Sequence, residues 1–370
     1  MENYMKVIAS NTIYENPLPQ LESRQSFFPN ACQLADGRIM ASIVIGQAFE
    51  SVDSKTYKSF SCDGGVSWSE PELMLNFSGV GRVVTDYAKI TALKNGDVAV
   101  MGYAYYRDDP KLPIGNPENG GVLDDMVFYS VSKDGGKSFS IPSEIKCAWG
   151  PHVEASAQIT ELADGSFITP ITGFPDWNGI SHGVMCGRAL RSYDLGKSWS
   201  DEVVSMKFDD EVTCYEQRMC QLESGTIVSI GWNENVTTGE RLENHFTYST
   251  DNGKSFSCPI PTGVRGQASS VCSLGGEKLL ALHAVRRDTD KPGIYGYVID
   301  FSEKTWKIVD ETLVWAPALP MTKDKKMAEI FSFLKFGQPS AILLSDGNLL
   351  MTHWCAEEGR YRTVATRISL

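Results

Sequence analysis

The chain has 370 residues, with 34 Lys and Arg against 46 Asp and Glu, for a formal net charge of -12. An acidic chain repels a phosphate backbone, and Lys323 to Lys326 is only a short basic patch, so nucleic acid is not an expected partner. No segment approaches the roughly 20 apolar residues of a membrane-spanning helix, and Met1-Glu2-Asn3-Tyr4 has neither region of a signal peptide. A cytoplasmic protein away from membranes is therefore expected, or a secreted one if a leader has been removed.

The first predicted element is an apolar, strand-like segment, Met5 to Tyr14. Two hairpin motifs then alternate along the chain. One has the form Leu-x-x-Gly and begins at Leu34-Ala-Asp36-Gly37. The other has the form Ser-x-Asp-x-Gly-x-Ser-aromatic and begins at Ser61-Cys-Asp63-Gly-Gly65-Val-Ser67-Trp68. The first motif recurs at Leu93, Leu162, Leu222, Leu274 (shifted by one) and Leu344. The second recurs around Asp134, Asp194 and Asp251, with a worn copy from Asp300 to Trp306. Asp-Gly and Asn-Gly are hairpin signals, and they predict two-residue type I′ turns with positive φ at both central positions. In the second motif the Asp side chain is suited to take backbone N–H groups of its turn, with Gly in the left-handed position. Helical periodicity is nearly absent; Lys323 to Phe333 alone reads as a short helix or insertion.

Each unit holds two hairpins, hence four strands, and six units in series predict an all-β, six-bladed propeller with four-stranded antiparallel blades. The last unit ends with Tyr361 to Ile368 and lacks its fourth strand. Met5 to Tyr14 is expected to supply it and to remove an open edge. One domain over residues 1–370 follows. Nine cysteines cannot all pair within the chain, and Cys32, Cys220 and Cys272 sit in apolar strand patterns, as free thiols in a reducing compartment do. No zinc-type spacing occurs, and no metal or cofactor is expected.

The four Ser-x-Asp-x-Gly-x-Ser-aromatic copies resemble the Asp boxes of the sialidase superfamily, and the resemblance covers essentially the whole chain. It implies a structural role for Asp63, Asp134, Asp194 and Asp251 on the rim away from the active site. It also implies that functional residues stand five to eight positions before each turn Leu and in the loop after each second strand. The sialidase tetrad Phe-Arg-Ile-Pro falls on Ser26-Phe27-Phe28-Pro29, so Phe27 stands where the family has Arg. Trp232 stands at a second Arg position and Gln338 at the nucleophilic Tyr. Glu216 keeps the family's Glu, and Glu50 lies near the acid/base Asp.

Without the Arg cluster that grips a sugar carboxylate, sialic acid cleavage by the family mechanism is not expected. Phe27, Trp232, Trp177 and Tyr215 offer faces on which a neutral ring would stack. Glycosidases work with paired carboxylates. Glu216, Glu50 and Asp86 are the expected catalytic residues, approaching one axial cleft from neighbouring blades. Glu154, Arg218, Trp232, Gln338, Arg24, Phe27 and Arg286 are expected to bind substrate. The resulting expectation is a glycoside hydrolase acting on a terminal sugar of a glycan. Two alternatives stay open: a carbohydrate-binding propeller without catalysis, and an exo-sialidase whose Arg triad is rebuilt from Arg24, Arg218 and Arg286.

Overall fold

The computed structural model describes residues 5–318, apart from 149, 210 and 288, and residues 335–370. The segment Lys323 to Phe333 lies outside the described residues. Six antiparallel sheets follow one another around an axis. Blade 1 comprises Gln25–Gln33, Ile39–Gly46, Lys55–Ser61 and Glu72–Leu73, from the inside outward. Blade 2 starts at Val84–Ala92, blade 4 at Tyr215–Gln221, blade 5 at Ser269–Gly275 and blade 6 at Phe336–Leu343. Blade 3 departs from four continuous strands: its inner strand is split into Val153–Glu154 and Thr160–Glu161, both paired with Phe167–Gly173. Lys6–Tyr14 pairs antiparallel with Arg360–Ser369, Lys6 opposite Ser369 and Tyr14 opposite Thr363, as the outermost strand of blade 6. Among the described residues no helix is long and apolar enough to cross a membrane.

The core lies between blades. Every residue of Ile39–Gly46 is buried, because a second strand is covered on both faces by neighbouring sheets. Cys32, Met40, Ile90, Val100 and Phe128 join blades 1 and 2. Met5, Leu280, Val298, Met351 and Val364 join blades 5 and 6. Lys6–Tyr14, covered on one side, instead alternates between exposed and half-buried residues before ending in buried Ile13 and Tyr14. All nine cysteines are free.

The Leu-x-x-Gly turns correct the expected type. Leu34 N donates to Arg38 O at 2.8 Å and Gly37 N to Leu34 O at 2.9 Å. Gly37, at φ 88°, has positive φ, and Asp36 does not. The loop is a longer turn ending in a left-handed Gly rather than a two-residue I′ turn. The other motif behaves as its chemistry predicts. Ser138 N and Oγ donate to Asp134 at 2.9 and 2.5 Å, Ser132 Oγ donates to it at 2.7 Å, and Gly136 N donates to Ser132 Oγ at 2.9 Å. These bonds hold the Asp134 carboxyl well below the usual carboxylate range, and the Ser198 hydroxyl leads the same effect at Asp194, down to about 2. A Cβ on Gly136 would come within 2.6 Å of the Met40 sulfur in blade 1, so the turn also locks onto the neighbouring blade.

Asp134→Ala is expected to lower the melting temperature by a few degrees, because the turn loses its acceptor. Thermal unfolding checks the loss. Turnover per folded molecule should be unchanged, because both kinds of turn lie at the end of the strands opposite the inner-strand starts.

Candidate active site

At the other end, six residues before each turn Leu, stand Phe28, Tyr87, Ser156, Glu216, Ala268 and Gln338. Four of them have left-handed backbone: Phe28 at φ 49°, Glu216 at 44°, Ala268 at 62° and Gln338 at 44°. Strand pairing breaks register at Phe27/Asn30, Tyr215/Arg218 and Gly337/Ser340. A bulge re-aims the extra side chain, here toward the axis, at a backbone cost that non-glycine residues rarely bear.

Glu216 is the hub. Its Oε2 accepts from Trp232 Nε1 at 2.7 Å, and its Oε1 accepts from Gln338 Nε2. Gln338 Oε1 lies 3.3 Å from Lys89 Nζ, which also donates to Phe28 O at 2.8 Å. Arg218 Nη1 donates to Gln217 O at 2.8 Å and Ser156 Oγ at 3.3 Å, and Arg286 Nη1 donates to Phe336 O at 2.5 Å. Burial pulls both guanidinium groups down, Arg286 to about 10, while nearby Glu216 favours their charge. Burial lifts the Glu154 carboxyl to about 7, and the Glu216 charge adds to the lift. Burial brings Lys89 down to about 7, helped by Arg218. Glu50, in the loop after Ile39–Gly46, is also raised to about 7 by burial against the opposing charge of Arg107, whose Nη1 donates to Glu50 O at 3.1 Å.

Aromatic rings line the rest. Phe28 packs edge-on against Phe49 at 5.0 Å and Tyr87 at 5.5 Å. Trp232 lies 4.6 Å from Tyr215, which stacks on Phe174 at 5.5 Å. Glu50 and Glu154 both act on the buried Tyr105 hydroxyl, which burial first of all raises.

Glu216, Glu154, Arg218, Arg286, Gln338 and Trp232 thus converge, and Glu50 faces the same aromatic wall. Three expectations need correction. Asp86 shares its strand face with Val84, Ala88 and Ile90, toward blade 1. There it accepts from Thr56 N at 2.9 Å and pairs with Lys55 at 3.5 Å, a buried structural link away from the axis. Phe27 is 0% exposed and cannot stack on a sugar; the bulge presents Phe28 instead. Arg24 lies over the Tyr57 ring, 5.8 Å from its centroid, lining a separate surface cavity of about 400 Å³ with Glu22, Gln47 and Asp53. The triad Arg24, Arg218 and Arg286 is therefore not assembled. Trp177 lies in the loop after Phe167–Gly173, where its carbonyl accepts from Asn116 at 2.9 Å.

Sequence reasoning missed Lys89. Its signal was a lysine in the inner strand four residues before its turn Leu, the ordinal place of Arg218. Among the described residues no group of three or more His, Cys, Asp or Glu is placed to hold a metal ion.

No protein-family model matches the sequence, and a search among curated proteins returns no match. Solved structures do match. A protein of unknown function from Dyadobacter fermentans aligns with a TM-score of 0.76 and 17% identity, over 99% of this chain and 99% of that one. An intramolecular trans-sialidase from Ruminococcus gnavus aligns with a TM-score of 0.64 and 12% identity, over 97% of each chain. The fold is that of the sialidase propellers. The NanB sialidase from Streptococcus pneumoniae adds a TM-score of 0.64 and 12% identity, over 100% of this chain and 71% of that one. At such identities the likeness carries the sialidase-type architecture and leaves the chemistry to the side chains.

Proposed function

We propose that this sialidase-like propeller is a glycoside hydrolase that cleaves a terminal sugar with Glu216 and Glu154 as its working carboxylates. One observation carries the reading: two carboxyl groups in one half-buried cluster have environments that separate their roles. Glu216 accepts on both oxygens, from Trp232 and Gln338, and is poised as nucleophile or base. Glu154, raised to about 7, keeps a proton near neutrality and is suited to protonate the leaving oxygen. Glu50, raised similarly, is the second candidate for that proton. Phe27 stands where the resemblance puts an Arg, and the bulge presents the apolar Phe28 beside it, which favours a neutral sugar over a carboxylated one.

The test is a hydrolysis screen over aryl glycosides, including sialosides, arabinosides, rhamnosides and fucosides. In the wild type, kcat should fall as pH rises through about 7, as the acid loses its proton. Glu154→Gln should flatten that limb and slow ordinary aryl glycosides about 10²-fold or more, while sparing dinitrophenyl glycosides, whose leaving group needs no proton. Transfer of this pattern to Glu50→Gln would assign the acid to Glu50. Saturable sugar binding with no hydrolysis across the screen would overturn the enzyme reading in favour of a binding module.

A further inference from the structure

We infer that Lys89 is the positioning residue of this carboxylate site: by fixing the orientation of the Gln338 amide, it makes Gln338 donate to Glu216 and so holds Glu216 against Trp232. The inference rests on the proposed role of Glu216 and adds a residue to it.

A glutamine side chain has a donor end and an acceptor end, and only its neighbours decide which faces where. Gln338 lies between a carboxylate and an amine. Lys89 Nζ, 3.3 Å from Gln338 Oε1, supplies a proton to the carbonyl end, and that leaves Nε2 for Glu216 Oε1. Turned over, the amide would set its NH₂ against Lys89 and its oxygen against a carboxylate, losing both bonds. Lys89 is itself held in place by Phe28 O at 2.8 Å and Pro29 O at 3.5 Å, and it is 7% exposed. The chain Lys89–Gln338–Glu216–Trp232 therefore ties blade 2 to blades 6 and 4 across the axis. It secures two of the left-handed bulge residues through their side chains and a third, Phe28, through its carbonyl. Such bulges persist only where surrounding contacts over-determine them.

The charged groups that face Lys89 are Arg218 and Glu216 from blade 4 and Glu154 from blade 3, while blades 1 and 6 present the Phe28 and Pro29 carbonyls and the Gln338 amide. Lys89 is in turn one of the groups that restrain the rise of Glu154. Its removal should therefore alter both the geometry at Glu216 and the protonation of the pair.

The test needs no substrate. The indole N–H resonance of Trp232, assigned by its disappearance in Trp232→Phe, reports on Glu216 in ¹H–¹⁵N spectra recorded from pH 5 to pH 9. In Lys89→Met, of similar shape and without the donor, the resonance should move. The midpoint of its pH dependence, which follows the neighbouring Glu154 carboxyl, should rise, since Lys89 no longer restrains the rise of Glu154. Gln338→Leu breaks the chain one link later. If Lys89 acts through Gln338, the double variant should reproduce the displacement of Gln338→Leu alone, a non-additivity that two independent packing defects would not produce. Melting temperatures identify any variant that fails to fold, and Gln338→Leu against wild type then still reads the second link. An unmoved indole resonance with an unmoved midpoint in folded Lys89→Met overturns the inference, as does full additivity. Because these readouts are spectroscopic, a failed glycoside screen would remove the hydrolase reading without touching this result.

Discussion

Glu216→Gln is expected to reduce hydrolysis by about 10²-fold or more while the propeller stays folded. The substitution is nearly isosteric, so packing around Trp232 and the bulge at φ 44° is kept. Its chemistry is reversed at one point. An amide can still accept from Trp232 Nε1, but its own NH₂ then faces Gln338 Nε2, donor against donor. The site also loses the negative charge that supports Arg218, Arg286 and Lys89. In addition, the charge of Glu216 helps to raise Glu154, so its removal should shift the alkaline limb of any residual activity to lower pH. Steady-state kinetics on the aryl glycoside that the wild type hydrolyses best, with a melting curve of the same preparation, checks both parts. Wild-type kcat in a folded Glu216→Gln protein would remove Glu216 from the mechanism.

The architecture was legible because it is written in short-range chemistry repeated along the chain. The Leu-x-x-Gly and Ser-x-Asp-x-Gly turns need particular residues at particular φ values, and six such units allow one closed solution. The site was legible in part. Glu216, Gln338 and Trp232 were found from their distance to a turn Leu. Phe27 and Asp86 were misread for one physical reason: strand parity decides the face a side chain takes, and a bulge inserts a residue that resets it. In blade 1 the bulge turns Phe28 inward and leaves Phe27 in the core. In blade 2 the strand runs Val84–Ala92 without a register break, so Asp86 faces blade 1 while Tyr87 and Lys89 take the other face. Pro29, directly after Phe28, marks the blade 1 bulge, since a proline inside a strand is confined to edges and bulges, and the blade 2 strand has no proline. Arg24 was misread differently, since its position depends on how the segment before Gln25 packs on Tyr14 and Tyr57, a contact between residues remote in sequence.

The acid stability of the fold should be governed by two histidines outside the site. His283 and His353 occupy the same place in the second strands of blades 5 and 6, nine residues after the turn Leu, and both are 0% exposed. His283 packs on Tyr297 at 5.5 Å and His353 on Trp315 at 5.0 Å, and among the described residues no ring nitrogen of either has a hydrogen-bond partner. Burial holds both near 3, with Arg362 adding to the effect at His353. Their folded pKa values lie below the unfolded value of about 6.5. The stability that they contribute is therefore fully present above pH 6.5 and is lost as pH falls toward 3. The loss is on the order of 5 kcal/mol for each histidine, or on the order of 3 kcal/mol per pH unit for the two together, against a total stability of roughly 5–15 kcal/mol. Glu50 and Glu154 act in the opposite sense. Their folded values near 7 lie above the unfolded value of about 4.5, so they add stability as pH falls from 7 to 4.5 and nothing further below it. The steepest loss should consequently lie between about pH 4.5 and 3. Urea unfolding of wild type and of the double variant His283→Leu/His353→Leu at pH 7, 5, 4 and 3.5 isolates the histidines, because the glutamate and turn-aspartate contributions cancel in the difference. That difference should move in favour of the variant by several kcal/mol as pH falls from 7 to 3.5. Parallel curves would mean that the imidazoles gain protons without unfolding the blades, and the burial argument would fail with them.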